Sequence, residues 1–427
     1  MRILITGANG FIGQYLVSAL TEQDHQISAC VRDASTYTQD HHFIDVIHCD
    51  YNNDTHVDDW LPRLRNIDVV INAVGIIKQT KYQKFNLLHR DTPIALFKAC
   101  EHMGISKVIQ VSALGADETA FSQYHLSKKA ADDYLMTLDL NWIIVMPSIV
   151  YGPGAKSMSL FTTMAALPVT PIINTGNQAI QPIHINDVCL AINELVHDGA
   201  VTSIRIPFIG PTSITMKELY IQLKQWLGLK KYRFMSVPFN IAMIMAWFTQ
   251  FIPKNLVTPE SIKMLNKGNT HDVSPFIRIF DFTPISITES LNQNPAQQTD
   301  LWHAKLTVLR PLLKLSIAFV WLYSGFVSLF IYPVESSFNL LEQVGITSPL
   351  NQFVLYAAAS LDFIIGLTIL VNYHVKAIGK FQIALILGYT VLISLFLVEQ
   401  WAHPFGPVSK NIPLLVAILI MISLEDK

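Results

Sequence analysis

The sequence predicts a doubly wound parallel α/β sheet followed by a C-terminal four-helix transmembrane bundle. Three observations predict it. Up to about Asp300, short β-rich runs alternate with helical patterns, as crossover-connected parallel strands require. A glycine triplet, Gly7-x-x-Gly10-x-x-Gly13, follows the first strand directly. Beyond residue 310 come apolar runs that approach the roughly 20 residues a helix needs to cross a bilayer core. Composition agrees: 51% of the 427 residues are hydrophobic and 15% charged, where about 25% charged is usual for a soluble domain. Mean hydropathy is +0.36.

The elements follow in order. Residues 2–13, RILITGANGFIG, read as a buried strand, a glycine turn and the start of a helix continued by QYLVSAL. Such a turn lets backbone N–H groups approach a pyrophosphate at a helix N-terminus. The contact set expected there is Gly7, Asn9, Gly10, Phe11, Ile12 and Gly13. The second strand, QISACV, ends at Arg32. An acidic residue there would bind the ribose hydroxyls of NAD, whereas an arginine pairs with the 2′-phosphate of NADP. The expectation is therefore NADP(H) over NAD(H), with Asp33 next door as the complicating carboxylate. The third strand, IDVIHC, leads to Asp50 and Tyr51, which suit an adenine; a plain turn is the other reading of Asp50. The fourth, DVVINAVG, brings Asn72, Ala73 and Val74 to the same end.

The fifth strand, KVIQV, leads to Ser112, and the helical stretch QYHLSKKAADDYLMTL carries Tyr124 and Lys128. At i and i+4 the two share a helix face. A nearby ammonium is expected to lower the phenol's pKa and make it a general acid or base. Ser112 would hold a substrate carbonyl.

TGANGFIG, INAVG, VSALGA, YHLSK, PSIVYGPG and QPIHINDVCLAI together resemble an extended or atypical short-chain dehydrogenase/reductase with a Rossmann-type fold. With TPESIKML, they resemble most the branch that includes the NADPH-binding accessory subunit of respiratory complex I. The resemblance covers residues 1–291 and implies three things. Tyr124 and Lys128 carry proton transfer. Lys128 also binds the nicotinamide ribose. The loop with Pro147 and Ile149 lies beside the nicotinamide. The sequence departs from the family at Met146, where many relatives have arginine, and the family serine aligns at Ser112 or Ala113.

Residues 292–309 read as a linker, beginning with the polar NQNPAQQTD. Spans are expected at 312–333, 353–372, 380–399 and 411–425, the last needing tilt or bilayer thinning. Lys305, Arg310 and Lys314 precede the first span, and Lys376 and Lys380 separate the second from the third. The positive-inside rule then puts the nucleotide-binding domain and both termini in the cytoplasm, on an inner (cytoplasmic) membrane. SIAFVWLYSG and WAHPFGPVSKNIPLL resemble DoxX-like membrane domains, some of which are linked to quinone-dependent redox chemistry. Asp362 falls mid-span, where a charge must be paired or protonated. Glu399 and His403, with Lys410 beyond, could join it in a proton- or quinol-handling cluster; structural polar contacts are the plainer reading. The uncharged run at 237–252 is expected as a buried helix or an interfacial one.

A net charge of −2 gives no footprint for nucleic acid. The four scattered cysteines form no C-x-x-C pair, so no metal site or disulfide framework is expected, and no signal peptide is visible. Three functions fit. The first is a membrane-anchored NADP(H)-dependent oxidoreductase of a lipophilic carbonyl or quinone-like substrate. The second is a non-catalytic NADPH-binding membrane protein, an assembly factor or redox sensor within a protein complex. The third is a nucleotide-sugar epimerase or dehydratase.

Overall fold

The computed structural model describes residues 1–37, 39, 41–250 and 256–425. Phe251 and Ile252, the end of the apolar run above, and Asp426 and Lys427, the chain's last two residues, lie outside them. The chain forms two compact units, Met1–Leu301 and Trp302–Lys427.

Seven parallel strands make the sheet of the first unit: β1 (Arg2–Thr6), β2 (Gln26–Val31), β3 (Ile44–His48), β4 (Val69–Asn72), β5 (Lys107–Val111), β6 (Trp142–Pro147) and β7 (Ile204–Phe208). Their spatial order is β7-β6-β5-β4-β1-β2-β3. Strands buried on both faces tend to read as near-continuous apolar runs, and β4 and β6 do; β5 also buries Lys107 and Gln110, each held by hydrogen bonds. One layer packs Leu16, Val17 and Leu20 of α1 (Phe11–Thr21) with Val188, Ile192 and Leu195 of the helix Ile185–His197. The opposite layer packs Leu96, Phe97 and Cys100 of α2 (Thr92–Met103) with Trp60. Strand order reverses between β1 and β4, and the crevice at their carboxyl ends is where such sheets bind ligands.

The expected linker is largely helical. The helix α5 (Gln298–Phe326) begins within it, and Asp300 accepts the Gln297 N–H at 2.7 Å, capping the helix start. Glutamines and a capping aspartate suit a helix N-terminus as well as a loop.

In the second unit, α5 (Gln298–Phe326) runs on through a single π-helical stretch, Val327–Ile331, and is followed by α6 (Leu350–Leu370), α7 (Val375–Phe396) and α8 (Asn411–Ser423). Among the described residues three helices are long and apolar enough to cross a membrane. The fourth expected span is the 13-residue α8, about 20 Å long against a core of about 30 Å. The helices alternate in direction. Lys314, midway along α5, donates to Asn372 just past α6 (2.8 Å) and pairs with Glu425 just past α8 (2.6 Å). At the other end Asn411, which opens α8, donates to Thr390 of α7 at 2.9 Å. A Cβ on Gly366 would lie 2.6 Å from Leu322 Cγ, so α5 and α6 pack across a missing side chain. Phe319, Phe330 and Leu395 face outward.

Candidate functional site

The glycine turn is built for close approach. Gly7 has φ +70°, and a Cβ there would lie 3.0 Å from the backbone of Ala73 and Val74. Gly10 donates its N–H to the Gly7 carbonyl at 2.7 Å. A Cβ on Gly13 would overlap that same carbonyl. Gly10 caps α1 without a side-chain hydrogen bond. Open N–H groups and the positive end of the helix dipole thus face the crevice. Asn9 is exposed at the turn, and Phe11 and Ile12 are half-buried at the start of α1. This is the geometry a dinucleotide pyrophosphate needs.

Arg32, just past β2, is exposed. The neighbouring Asp33 is engaged locally: its carboxylate accepts from the Ser35 N–H (3.0 Å) and hydroxyl (2.7 Å), which hold its pKa below the ordinary value. Three other expected contact residues are engaged in hydrogen bonds within the fold. Asp50 closes its own turn, accepting from the Asn52 N–H, the Asn52 amide and the Asn53 amide at 3.1, 2.9 and 2.8 Å. Tyr51 is buried edge-on to Trp60, and its hydroxyl donates to Asn72 Oδ1 at 2.8 Å. Asn72 also accepts from Thr6 Oγ1 (2.7 Å) and donates to Gln110 Oε1 (2.7 Å). Its side chain therefore ties β1, β4 and β5 together inside the core. Ala73 and Val74 do line the turn, through their backbone.

The proton-transfer candidates lie on α3 (Gln123–Leu135), whose N-cap Ser122 accepts from the His125 N–H. Lys128 is buried, and its ammonium donates to the carbonyls of Val111, which ends β5, and Val74, just past β4, both at 2.9 Å. Burial pushes its pKa down. Tyr124 stands in a ring of aromatics, edge-on to Phe85 (5.9 Å), His89 (5.5 Å) and His125 (5.2 Å). Its pKa is pushed up to about 12, by burial first and then by the Asp132 carboxylate. The expected lowering of the phenol's pKa is thus overturned: desolvation wins, and Lys128 spends protons on backbone carbonyls.

Ser112 is also corrected. Its N–H continues the ladder to Val145, and its buried hydroxyl donates to the carboxylate of Asp132. Asp132 is itself fully buried and pushed up by desolvation. Ala113, the other alignment, offers no hydroxyl. Pro147 closes β6, where its carbonyl takes the Leu114 N–H at 2.9 Å, and Ile149 follows half-buried.

Two residues escaped the sequence. The Ile76 N–H donates to His89 Nε2 at 3.0 Å, so the ring proton sits on Nδ1 and faces the Ser127 hydroxyl at 3.0 Å. Ser127 in turn donates to the Tyr124 carbonyl at 2.8 Å. Burial, then repulsion by Lys128, pushes His89 down to about 2. A lone histidine in FNLLHRD gave no signal of this role. Glu260, within the TPESIKML stretch, accepts the Tyr124 N–H at 3.0 Å; its contact spans 136 residues of sequence.

In the second unit Asp362 is buried and accepts from Ser324 at 2.8 Å, while Glu399 and His403 are exposed. The three do not form one cluster. The Ser324 contact fits the plainer reading for Asp362, a hydrogen bond inside the bundle.

A family model described as NAD(P)H-binding matches residues 7–162, and one described as the DoxX-like family matches residues 318–419. The chain joins an NAD(P)H-binding domain to a DoxX-like domain. The DoxX-like match and the three apolar helices mark an integral membrane protein. The chain is similar to a ceramide reductase of Caulobacter vibrioides, 31% identical over 43% of this chain and 57% of that protein. It is also similar to NADH dehydrogenase (ubiquinone) 1 alpha subcomplex subunit 9 of Arabidopsis thaliana, 26% identical over 60% of this chain and 65% of that one. It thus spans less than two thirds of either relative. In fold it matches MoeE5 in complex with UDP-glucuronic acid and NAD, with a TM-score of 0.53 at 19% identity, covering 68% of this chain and 97% of that one.

Proposed function

We propose that the protein is a membrane-anchored, NADP(H)-dependent reductase of a lipophilic carbonyl compound. One observation carries the reading. The glycine turn abuts Ala73 and Val74, and the Val74 carbonyl holds the Lys128 ammonium. Phosphate cradle, β4 loop and α3 are therefore one contiguous surface, with Tyr124 on the same face of α3. The likeness to a ceramide reductase, whose name is that of an enzyme acting on a lipid, supports the substrate class. Exposed Arg32 beside a locally engaged Asp33 supports NADP(H) over NAD(H).

Gly7, Gly10, Gly13 and the α1 N-terminus would hold the pyrophosphate, and Arg32 the 2′-phosphate. NADPH supplies a hydride when bound. Tyr124, protonated throughout the neutral range at a pKa of about 12, donates its phenolic proton to the carbonyl oxygen. Lys128 orients the site and places positive charge near the developing oxyanion. With Ser112 turned toward Asp132, no serine polarises the carbonyl, and the Tyr124 hydroxyl must do this alone.

That same withdrawal of Ser112 favours a second reading, a nucleotide-holding subunit without turnover, in line with the likeness to a complex I subunit. One experiment separates the two. Detergent-purified protein is assayed for NADPH oxidation with long-chain ketones and short-chain quinones. A reductase turns over, and Tyr124→Phe lowers kcat about 100-fold or more with NADPH affinity kept. Tight NADPH retention without turnover on any carbonyl would establish the second reading.

A further inference from the structure

We propose that the helix Phe239–Thr249 docks the first unit into the headgroup–acyl boundary of a phospholipid bilayer. Its sequence, FNIAMIMAWFT, carries no charge. Ala242 and Ala246, one turn apart, are buried against the unit. The other faces are turned out: Ile244 is 58% exposed, Met245 56% and Phe248 63%. Soluble surfaces rarely carry a contiguous apolar patch of this kind without a partner.

Two observations commit the partner to lipid. First, the segment entering the helix is basic and amphipathic: Lys230, Lys231 and Arg233 are exposed, interleaved with exposed Tyr232 and Met235. The strand Phe234–Val237 pairs with Thr170–Ile173, and the Phe239 N–H is held by Asn174 Oδ1 at 3.1 Å. Basic segment and apolar helix are thereby fixed to one edge of the unit. Cations beside an apolar helix suit an anionic lipid surface. Second, the chain carries three helices able to cross a membrane, which tether the unit to a bilayer and make docking intramolecular.

The docking helix also reaches the candidate site. It packs on α4 (Pro259–Lys267), whose Glu260 accepts the Tyr124 N–H. On the reductase reading, which this consequence rests on, a carbonyl compound dissolved in the bilayer reaches Tyr124 without crossing water.

The test uses the full chain in lipid nanodiscs. The four native cysteines are buried, so Phe248→Cys and, as control, exposed Glu22→Cys each take one environment-sensitive fluorophore. Doxyl-labelled phosphatidylcholine is the quencher, with and without phosphatidylglycerol. Docking predicts at least about twofold quenching at position 248, none at position 22, and a stronger effect with phosphatidylglycerol. Equal quenching at both positions overturns it. So does a position-248 label that is shielded from lipid and cross-links to a second copy or another protein. A second arm reads the consequence: Ile244→Asp with Met245→Asp raises KM for a long-chain ketone about tenfold and leaves KM for a short, water-soluble one unchanged. If neither ketone is reduced, the reductase reading fails while the quenching still decides docking.

Discussion

At Tyr124 two effects point the same way. Burial among Phe85, His89 and His125 disfavours the phenolate, and the Asp132 carboxylate adds to it. Together they push the phenol up to about 12. An acid in that state suits reduction rather than oxidation. His89 is the second residue with a measurable consequence. Its folded pKa lies near 2, against 6.5 unfolded. Between those values the unfolded chain binds the extra proton, so stability falls as pH falls, by up to about 1.4 kcal/mol per unit below pH 6.5. Thermal melts of His89→Gln are expected to show a flatter loss between pH 6.5 and 5 than the parent; an unchanged slope assigns the acid loss to other groups. At Arg32 the expectation concerns the nucleotide alone. Arg32→Ala raises Kd for NADPH about 10- to 100-fold, with NADH within about twofold, by titration of intrinsic fluorescence. Equal losses for both nucleotides would argue against the 2′-phosphate contact.

Element by element, the site depends on how strands and helices end. The turn after β1 works because its glycines leave room for their own backbone: a Cβ at Gly13 meets the Gly7 carbonyl and Ala8 Cα. Gly13→Ala is therefore expected to abolish NADPH binding in equilibrium dialysis and to lower Tm by several degrees, since a 1 kcal/mol loss moves Tm by about 2–4 °C in a domain of this size. Wild-type affinity in that variant would mean the turn relaxes freely. The strands themselves were plainly legible. QISACV and KVIQV form β2 and β5 over the residues expected, because strands buried on both faces tend to be apolar and bounded by polar or turn residues. The helical state of 298–309 was not legible, because a polar helix start resembles a loop until the capping of Gln297 by Asp300 is seen; the two units do divide within the expected linker, between Leu301 and Trp302.

For the whole molecule, the basic residues Lys376 and Lys380 predict that the loop between α6 and α7 faces the cytoplasm. The contacts of Lys314 with Asn372 and Glu425 set the middle of α5 level with the ends of α6 and α8. The short α8 reaches that level from Asn411 near Thr390, and a helix of this length crosses a bilayer only where the membrane thins or flanking residues complete the span. Single cysteines at Glu335 and Lys376, probed in intact cells with a membrane-impermeant maleimide, are expected to label at position 335 only. Labelling of position 376 alone would invert the topology.

The sequence by itself determined the fold of the first unit, the nucleotide turn and the membrane character of the second. Each is written in local spacing: apolar runs, glycines three residues apart, uncharged stretches long enough to cross lipid. Only the tertiary structure decided what the polar side chains do. Asn72, Tyr51 and Ser112 look like site residues in the chain yet point into the core, and His89 and Glu260 look ordinary yet frame Tyr124. The reason is that a side chain's partner is chosen by packing between segments far apart in the chain, and no local pattern records that pairing.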